Sequence, residues 1–386
     1  MDILLLDSPA FAKLDMIDAF TSYDIHVDLF FHEGYNQREN PDYESAFDDA
    51  VSHKKYDFVF SFNYFPILSR CCSKHNLKYV SYVYDSPLVA LYSYTITYPG
   101  NYIFLFDKTI YQELHSGGIS TVYYLPLATN PDRLASLADS TTDLDRYQSE
   151  ISFVGSLYNE DHHLYERLVH NVSSYTKGYL EALLDAQQLI YGEFFLEKML
   201  TSDILSDLQR STPYTPNTDG IESPAYVYAN YFLARKLAEL DRTKILRTLS
   251  EHYPVKHFTQ NATPQLPKVQ NKSPVDYYAQ MPLVFRNSLI NLNISLRSIQ
   301  SGIPLRAFDI MGSGGFLLSN YQADFPDCFT PREDFVWYGS VEEAVQLCDY
   351  YLSHEKERAQ IAANGLGKIQ DAHTFKHRVQ TILNTL

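Results

Sequence analysis

Residues 1–31 read MDILLLDSPAFAKLDMIDAFTSYDIHVDLFF. The apolar run 3–6 has strand length, 12–22 carries helical spacing, and 25–31 is a second apolar run. Strand, helix and strand within about thirty residues make the repeating unit of a parallel sheet. The alternation continues outward. Further apolar runs fall at 58–60, 79–84, 102–106 and 122–125, with helical segments at 43–53, 66–75 and 109–115 between them. A sheet built this way is covered by helices on both faces, so its strands are apolar throughout.

After a polar stretch at 129–150, a strand restarts at ISFVGS (151–156). Segments 159–211 and 225–250 read as helix around the loop STPYTPNTDGIESP (211–224), which is too much helix for one crossover. Strands then follow at 255–259, 289–294, 316–319 and 335–338, with helices at 304–311, 341–353 and 355–369 and a last amphipathic helix at 375–386. The chain therefore reads as two Rossmann-like α/β domains. The first is 1–135 and faces the acceptor; the second is 151–370, with a helical insertion at about 159–250; a C-terminal helix, 371–386, crosses back. A length of 386 residues suits two cores of this kind.

Composition narrows the function. Formal net charge is −16 and no basic run is present, which excludes a phosphate-tracking nucleic-acid surface. An anionic ligand must then be held locally, by helix N-termini and a few arginines. The N-terminus lacks a signal-peptide pattern, no stretch is long enough to span a membrane, and a cytoplasmic location is expected. Cys71, Cys72, Cys328 and Cys348 form no CxxC pair and read as idle thiols. No His, Cys, Asp or Glu cluster has metal-ligand spacing and no DxD signature stands out, so neither metal nor cofactor is expected.

Polar residues close several strands, where open parallel sheets bind ligands: Asp7, Ser61 with Asn63, Asp85 and Asp107. For Asp7 and Asp107, helix capping explains the position as well. Asp85, inside SYVYDSP (81–87), is the candidate general base; His26, His32, His162, His163 and His373 are alternatives. The strongest local pattern is SGIPLRAFDIMGSGGFLLSN (301–320), which reads as loop, short helix, glycine-rich turn and buried strand. Arg306 and Asp309, three apart on that helix, could contact a diphosphate and a ribose, with Ser313, Gly314 and Gly315 allowing close backbone approach; a surface Arg–Asp pair beside an ordinary helix C-cap is the alternative. Gly155, at the end of its strand, with Ser156 and Tyr158, is a second phosphate-loop candidate.

RAFDIMGSGGFLLSNY (306–321), with INLNIS (290–295), ISFVGSLYNE (151–160) and HTFKHRV (373–379), resembles the spore maturation protein CgeB-like glycosyltransferases. YVSYVYDSP (79–87) and YYLPLATN (123–130) are similar to the N-terminal half of the same proteins. The resemblance implies a GT-B architecture, with the donor nucleotide mainly on the second domain and the active site in the cleft between the two. It implies a metal-independent transfer of a hexose or N-acetylhexosamine from a nucleoside diphosphate sugar, UDP-linked, to a hydroxyl of a glycan or protein acceptor. By the same analogy the nucleobase of the donor rests near Thr259 and the Tyr277–Tyr278 pair. Many retaining enzymes of this architecture carry two glutamates eight positions apart; here Asp309 stands at the second position and Ser301 at the first. Related chains place a lysine before INLN where Leu289 stands here, which leaves the diphosphate charge to Arg306 or Arg286. Two other readings stay open on this scaffold: a nucleotide-sugar epimerase or hydrolase, and a non-catalytic partner subunit.

Overall fold

A computed structural model describes residues 1–137, 144–159 and 163–386, arranged as two compact units. The first holds β1 (Asp2–Leu6), α1 (Lys13–Thr21), β2 (His26–Phe30), α2 (Pro41–Ser52), β3 (Phe58–Phe62), α3 (Pro66–Lys74), β4 (Tyr79–Val83), β5 (Asn101–Leu105), α4 (Lys108–Ser116) and β6 (Val122–Tyr124). Its six strands run in the order β2-β1-β3-β4-β5-β6, every pair parallel. Strands β3 and β4 (FVFSF and YVSYV) are buried at every position, as central strands covered on both faces must be. Helix starts follow local chemistry. The Asn40 side chain accepts from Tyr43 N ahead of Pro41, and Asp107 accepts from Thr109 N and Ile110 N.

The second unit holds α5 (Pro131–Ser136), β7 (Ser149–Val154), α6 (Leu164–Val169), α7 (Ser174–Gln188), α8 (Ser202–Ser211), α9 (Pro224–Val227), a π-helical turn (Tyr228–Leu233) and α10 (Ala234–Ser250). It continues through β8 (Val255–Phe258), β9 (Gln270–Lys272), α11 (Met281–Asn287), β10 (Ser288–Asn293), α12 (Leu305–Gly312), β11 (Leu317–Asn320), α13 (Phe325–Cys328), β12 (Val336–Tyr338), α14 (Val341–Ser353) and α15 (Glu355–Ala372). The strand order is β12-β11-β10-β7-β8-β9, again all parallel. The insertion α6–α10 has a core of its own, built on Leu180, Leu184, Leu196, Leu208, Tyr228 and Leu237.

The division differs from the sequence expectation in two places. The first unit ends at Leu127 rather than 135, because α5 packs on α12 and α15 of the second unit. Residues 215–223, expected inside the insertion, belong to the first unit. Tyr94 N donates to Asp219 O at 2.9 Å, Ile221 N donates to Tyr92 O at 2.9 Å, and the buried Asp219 carboxylate takes Ser93 Oγ at 2.7 Å and Arg38 Nη1 at 3.2 Å. The last helix, α16 (Phe375–Thr385), also groups with the first unit, where it packs on α1. No helix among the described residues is long and apolar enough to cross a membrane.

Candidate functional site

In the second unit the strand order reverses between β7 and β10, which makes the carboxyl ends of these two strands the switch point of a Rossmann sheet. Gly155 follows β7 there, at φ +152. A Cβ on Gly155 would come within 2.8 Å of Arg306 Nη2, so only glycine lets that guanidinium lie against the turn. Arg306, in the first turn of α12, also donates from Nη1 to Asn293 Oδ1 at 3.4 Å and lies 5.5 Å from the Phe153 ring centroid. The Pro304 N-cap of α12 carries no side-chain hydrogen bond.

Two residues absent from the sequence expectations complete the cluster. Arg242 of α10 is 3% exposed and donates to two carbonyls: Nη1 to Ser156 O at 2.6 Å, and Nε and Nη2 to Ile294 O at 3.2 and 2.8 Å. It thereby ties the loop after β7 to the loop after β10. His257 of β8, fully buried, donates from Nε2 to Gly155 O at 2.8 Å. Arg242 and Arg306 form no ion pair with a carboxylate among the described residues. Burial, then the charge of Arg242, pulls the Arg306 pKa down to about 10. Burial also lowers Arg242. Two buried guanidiniums without a direct ion pair at a switch point, offset only at a distance by Asp241 and Asp309, make a site short of negative charge.

Burial pulls His257 down to about 4, against the opposing hydrogen bond to Gly155. The imidazole thus stays neutral in the fold while the unfolded chain takes up a proton below about 6.5. Between those values the unfolded state binds more protons, so stability falls as pH drops from about 6.5 to 4. The shift bounds the loss at about 3 kcal/mol. Urea unfolding of wild type and His257→Gln across this range is expected to show a steep wild-type slope that the variant flattens. Equal slopes would remove His257 from the acid limb.

The other expected donor residues separate into those on this edge of the sheet and those off it. Ser156 Oγ accepts from Tyr158 N at 2.8 Å, and Tyr158, at φ +60, lays its ring 4.6 Å from Arg242 Cζ. Thr259 Oγ1 donates to Asn261 Oδ1 at 3.0 Å, and that oxygen also takes Leu157 N at 3.0 Å, which joins the β8 loop to the β7 loop. Ser313, Gly314 and Gly315 lie at the far end of α12, about 12 Å along the helix from Arg306. They end the helix there. Gly314, at φ +76, donates to Met311 O while Gly315 donates to Ile310 O, which is the Schellman pattern. A Cβ on Gly315 would meet Phe285 O at 2.6 Å. Arg286 is also off the site. It precedes β10, whose six residues separate it from Asn293 by about 20 Å, and it binds Leu134 O.

Asp309 is buried at 1% exposure, and its Oδ1 takes Thr129 Oγ1 at 2.6 Å and Tyr277 OH at 3.3 Å. That oxygen serves internal packing rather than an open ribose contact. Tyr278 joins the same group: its ring meets Tyr277 edge-on, and Arg133 Cζ lies 5.0 Å from it. Contacts therefore place Tyr278 with Asp309 and Arg133, and Thr259 with Asn261 and Leu157.

In the first unit, Asp85 is an exposed residue just beyond β4. Asn63, at φ +61 beyond β3, organises it: Nδ2 donates to Asp85 Oδ2 at 2.8 Å, and Oδ1 accepts from Tyr84 N and Asp85 N at 2.9 and 3.0 Å. Crowding by surrounding protein raises the Asp85 pKa above the usual carboxylate range, with the Asn63 hydrogen bond opposing. Asp107 is a helix cap, as the capping alternative allows, whereas Asp7 pairs with Lys13 and α1 starts at Ala12 without a side-chain cap. Of the alternative bases, His32 caps a short helical turn, His26 lies beside Asp2 and Asp28, and His373 rests on Phe329. His163 is exposed, and His162 lies outside the described residues. Among the described residues no group of three or more His, Cys, Asp or Glu is placed to hold a metal ion.

Residues 232–384 match the family described as Glycosyl transferase-like. Among solved structures, the chain is similar to HepE from Anabaena, determined with UDP and glucose, at 11% identity and TM-score 0.52 over 100% of both chains. It is similar to sucrose-phosphate synthase from Thermosynechococcus elongatus, at 9% identity and TM-score 0.54 over 100% of this chain and 98% of the other. An α,α-trehalose-phosphate synthase (UDP-forming) from Burkholderia vietnamiensis gives 12% identity and TM-score 0.52 over 99% and 96%. A comparison with curated proteins finds no match. At these identities the likeness is one of fold: the two parallel α/β units have the GT-B architecture.

Proposed function

We propose that this chain is a glycosyltransferase of the CgeB-like kind that takes a nucleoside diphosphate sugar, UDP-linked, and transfers a hexose or N-acetylhexosamine to an acceptor hydroxyl. The observation that carries the reading is the pair Arg242 and Arg306, without a counter-ion among the described residues, at the switch point of a Rossmann sheet. Arg306, with one long hydrogen bond, has donors left for a diphosphate; Arg242, committed to carbonyls, holds the two loops that shape the site. The family match over 232–384 spans both arginines, and UDP is bound by the fold relative HepE.

In this mechanism the bond between the anomeric carbon and the diphosphate oxygen breaks as the acceptor oxygen bonds to that carbon. Negative charge grows on the departing diphosphate, where preorganised cations stabilise it most. Asp85 receives the acceptor's proton. The guanidiniums supply the positive charge, so transfer is expected to survive chelation of divalent metals.

A thermal-shift screen of UDP, ADP, GDP and free glucose tests the donor class. A ligand that binds only the native state raises the melting temperature. UDP is expected to raise it and free glucose to leave it unchanged. A shift with another nucleotide and none with UDP would reject the uridine assignment.

A further inference from the structure

Beyond Tyr158, on the insertion side of the same unit, lies a cavity of about 380 Å³, within the range of small-ligand sites. Its walls include Tyr158, Tyr165, Phe232, Arg235, Lys236 and Glu239, from the β7 loop, α6, the π-helical turn and α10. The charges on these walls are partnered unevenly. Lys236 takes two carboxylates, Glu166 at 3.1 Å and Glu239 at 2.9 Å. Arg235 stands four positions before Glu239, the spacing of an ordinary helical ion pair, yet forms no ion pair or hydrogen bond among the described residues. Its guanidinium lies 5.5 Å from the Tyr158 ring centroid, half-buried. The π-helical turn immediately before α10 carries Phe232 three positions before Arg235, and such turns recur at functional sites.

We infer that this cavity is a carbohydrate subsite for an uncharged sugar residue of a glycan. Among the described wall residues, two cations, Arg235 and Lys236, are matched by two carboxylates, Glu166 and Glu239, beside the imidazole of His163, so no excess of lysine and arginine there favours an anion. They offer what a sugar ring uses: aromatic surface at Tyr158 and Phe232, unspent donors at Arg235, and acceptors at Glu166 and Glu239. Tyr158 places the subsite next to the arginine cluster, because its ring lies beside both Arg235 and Arg242. The purpose of the subsite rests on the glycosyltransferase reading, in which its occupant is a non-reacting residue of a glycan substrate. Its binding does not rest on that reading.

Saturation-transfer NMR of the full chain with maltotriose, cellotriose, chitotriose and glucuronate tests the assignment. A neutral trisaccharide is expected to bind at millimolar concentration. Arg235→Ala and Phe232→Ala are each expected to weaken it by at least about tenfold. UDP affinity, measured in parallel by calorimetry, is expected to stay unchanged. Arg235 is a half-buried surface residue, so its variant keeps the test valid where Phe232→Ala fails to fold. No binding of any neutral sugar to folded wild type, binding that survives Arg235→Ala, or preference for glucuronate would each overturn the subsite. Loss of UDP binding in wild type would instead strike the donor reading.

Discussion

Arg306→Ala is expected to bind UDP about 30- to 1000-fold more weakly than wild type. This is the fold-change of about 2–4 kcal/mol, the cost of leaving a bound diphosphate without its charged donor. The size of the effect follows from the surroundings of Arg306. Its guanidinium sits against Gly155 and Phe153 with one long hydrogen bond to Asn293 and forms no ion pair among the described residues, and the Asp309 carboxylate acts on it only at a distance. Removing it takes away the one cation in the cluster with donors to spare, while Arg242 remains committed to Ser156 O and Ile294 O. The same commitment separates the two residues experimentally. Arg242→Ala is expected to lower both stability and UDP affinity, because two loops lose their tie, whereas Arg306→Ala lowers affinity and leaves the melting temperature of the free protein near or above wild type. Relief of repulsion between the two guanidiniums acts in that direction. Calorimetry with UDP, beside thermal unfolding without it, decides. Wild-type affinity in a folded Arg306→Ala variant would place the diphosphate elsewhere.

The alternation of apolar runs made both sheets legible, because parallel central strands leave a continuous apolar signature. Strand β9 left none: Gln270–Lys272 is a polar edge strand, defined by its pairing with β8 alone. At the site, Gly155 and Arg306 were legible because each stands beside a strand or helix boundary that the pattern itself marks. Arg242 had a signal that passed unread. It falls four positions after Ala238 and three before Ile245, on the buried stripe of α10, where an arginine must find partners inside the fold. The turn Ser313–Gly315 stayed ambiguous in the sequence because a glycine-rich turn can either admit a ligand or end a helix; the structure shows the helix end. Asp309 was correctly placed on its helix, but its partners come from 180 and 32 residues away, beyond what spacing can report.

Asp85→Asn is expected to leave UDP affinity intact and to lower transfer by about 10²–10⁴-fold, the usual cost of losing a positioned base. The geometry makes the substitution informative. Asn63 Oδ1 accepts from the backbone amides of Tyr84 and Asp85, independently of the Asp85 side chain, so an asparagine at 85 keeps the turn. A purely structural Asp85 would therefore lose little on becoming asparagine, and turnover and stability would both stay near wild type. A base loses its proton acceptor outright. The raised pKa of Asp85 adds a second readout with a definite sign. The carboxylate must be ionised to accept a proton, so wild-type turnover falls as pH drops through that raised value, at higher pH than an ordinary aspartate would set. Asn63→Ala removes the hydrogen bond that opposes the shift. It is expected to move the acid limb to still higher pH without abolishing turnover. Transfer rates from pH 4 to 8 for the wild type and both variants, with donor affinity measured alongside, make the test. An acid limb that stays in place in Asn63→Ala, together with full turnover in Asp85→Asn, would take Asp85 out of the mechanism and assign proton transfer to another residue.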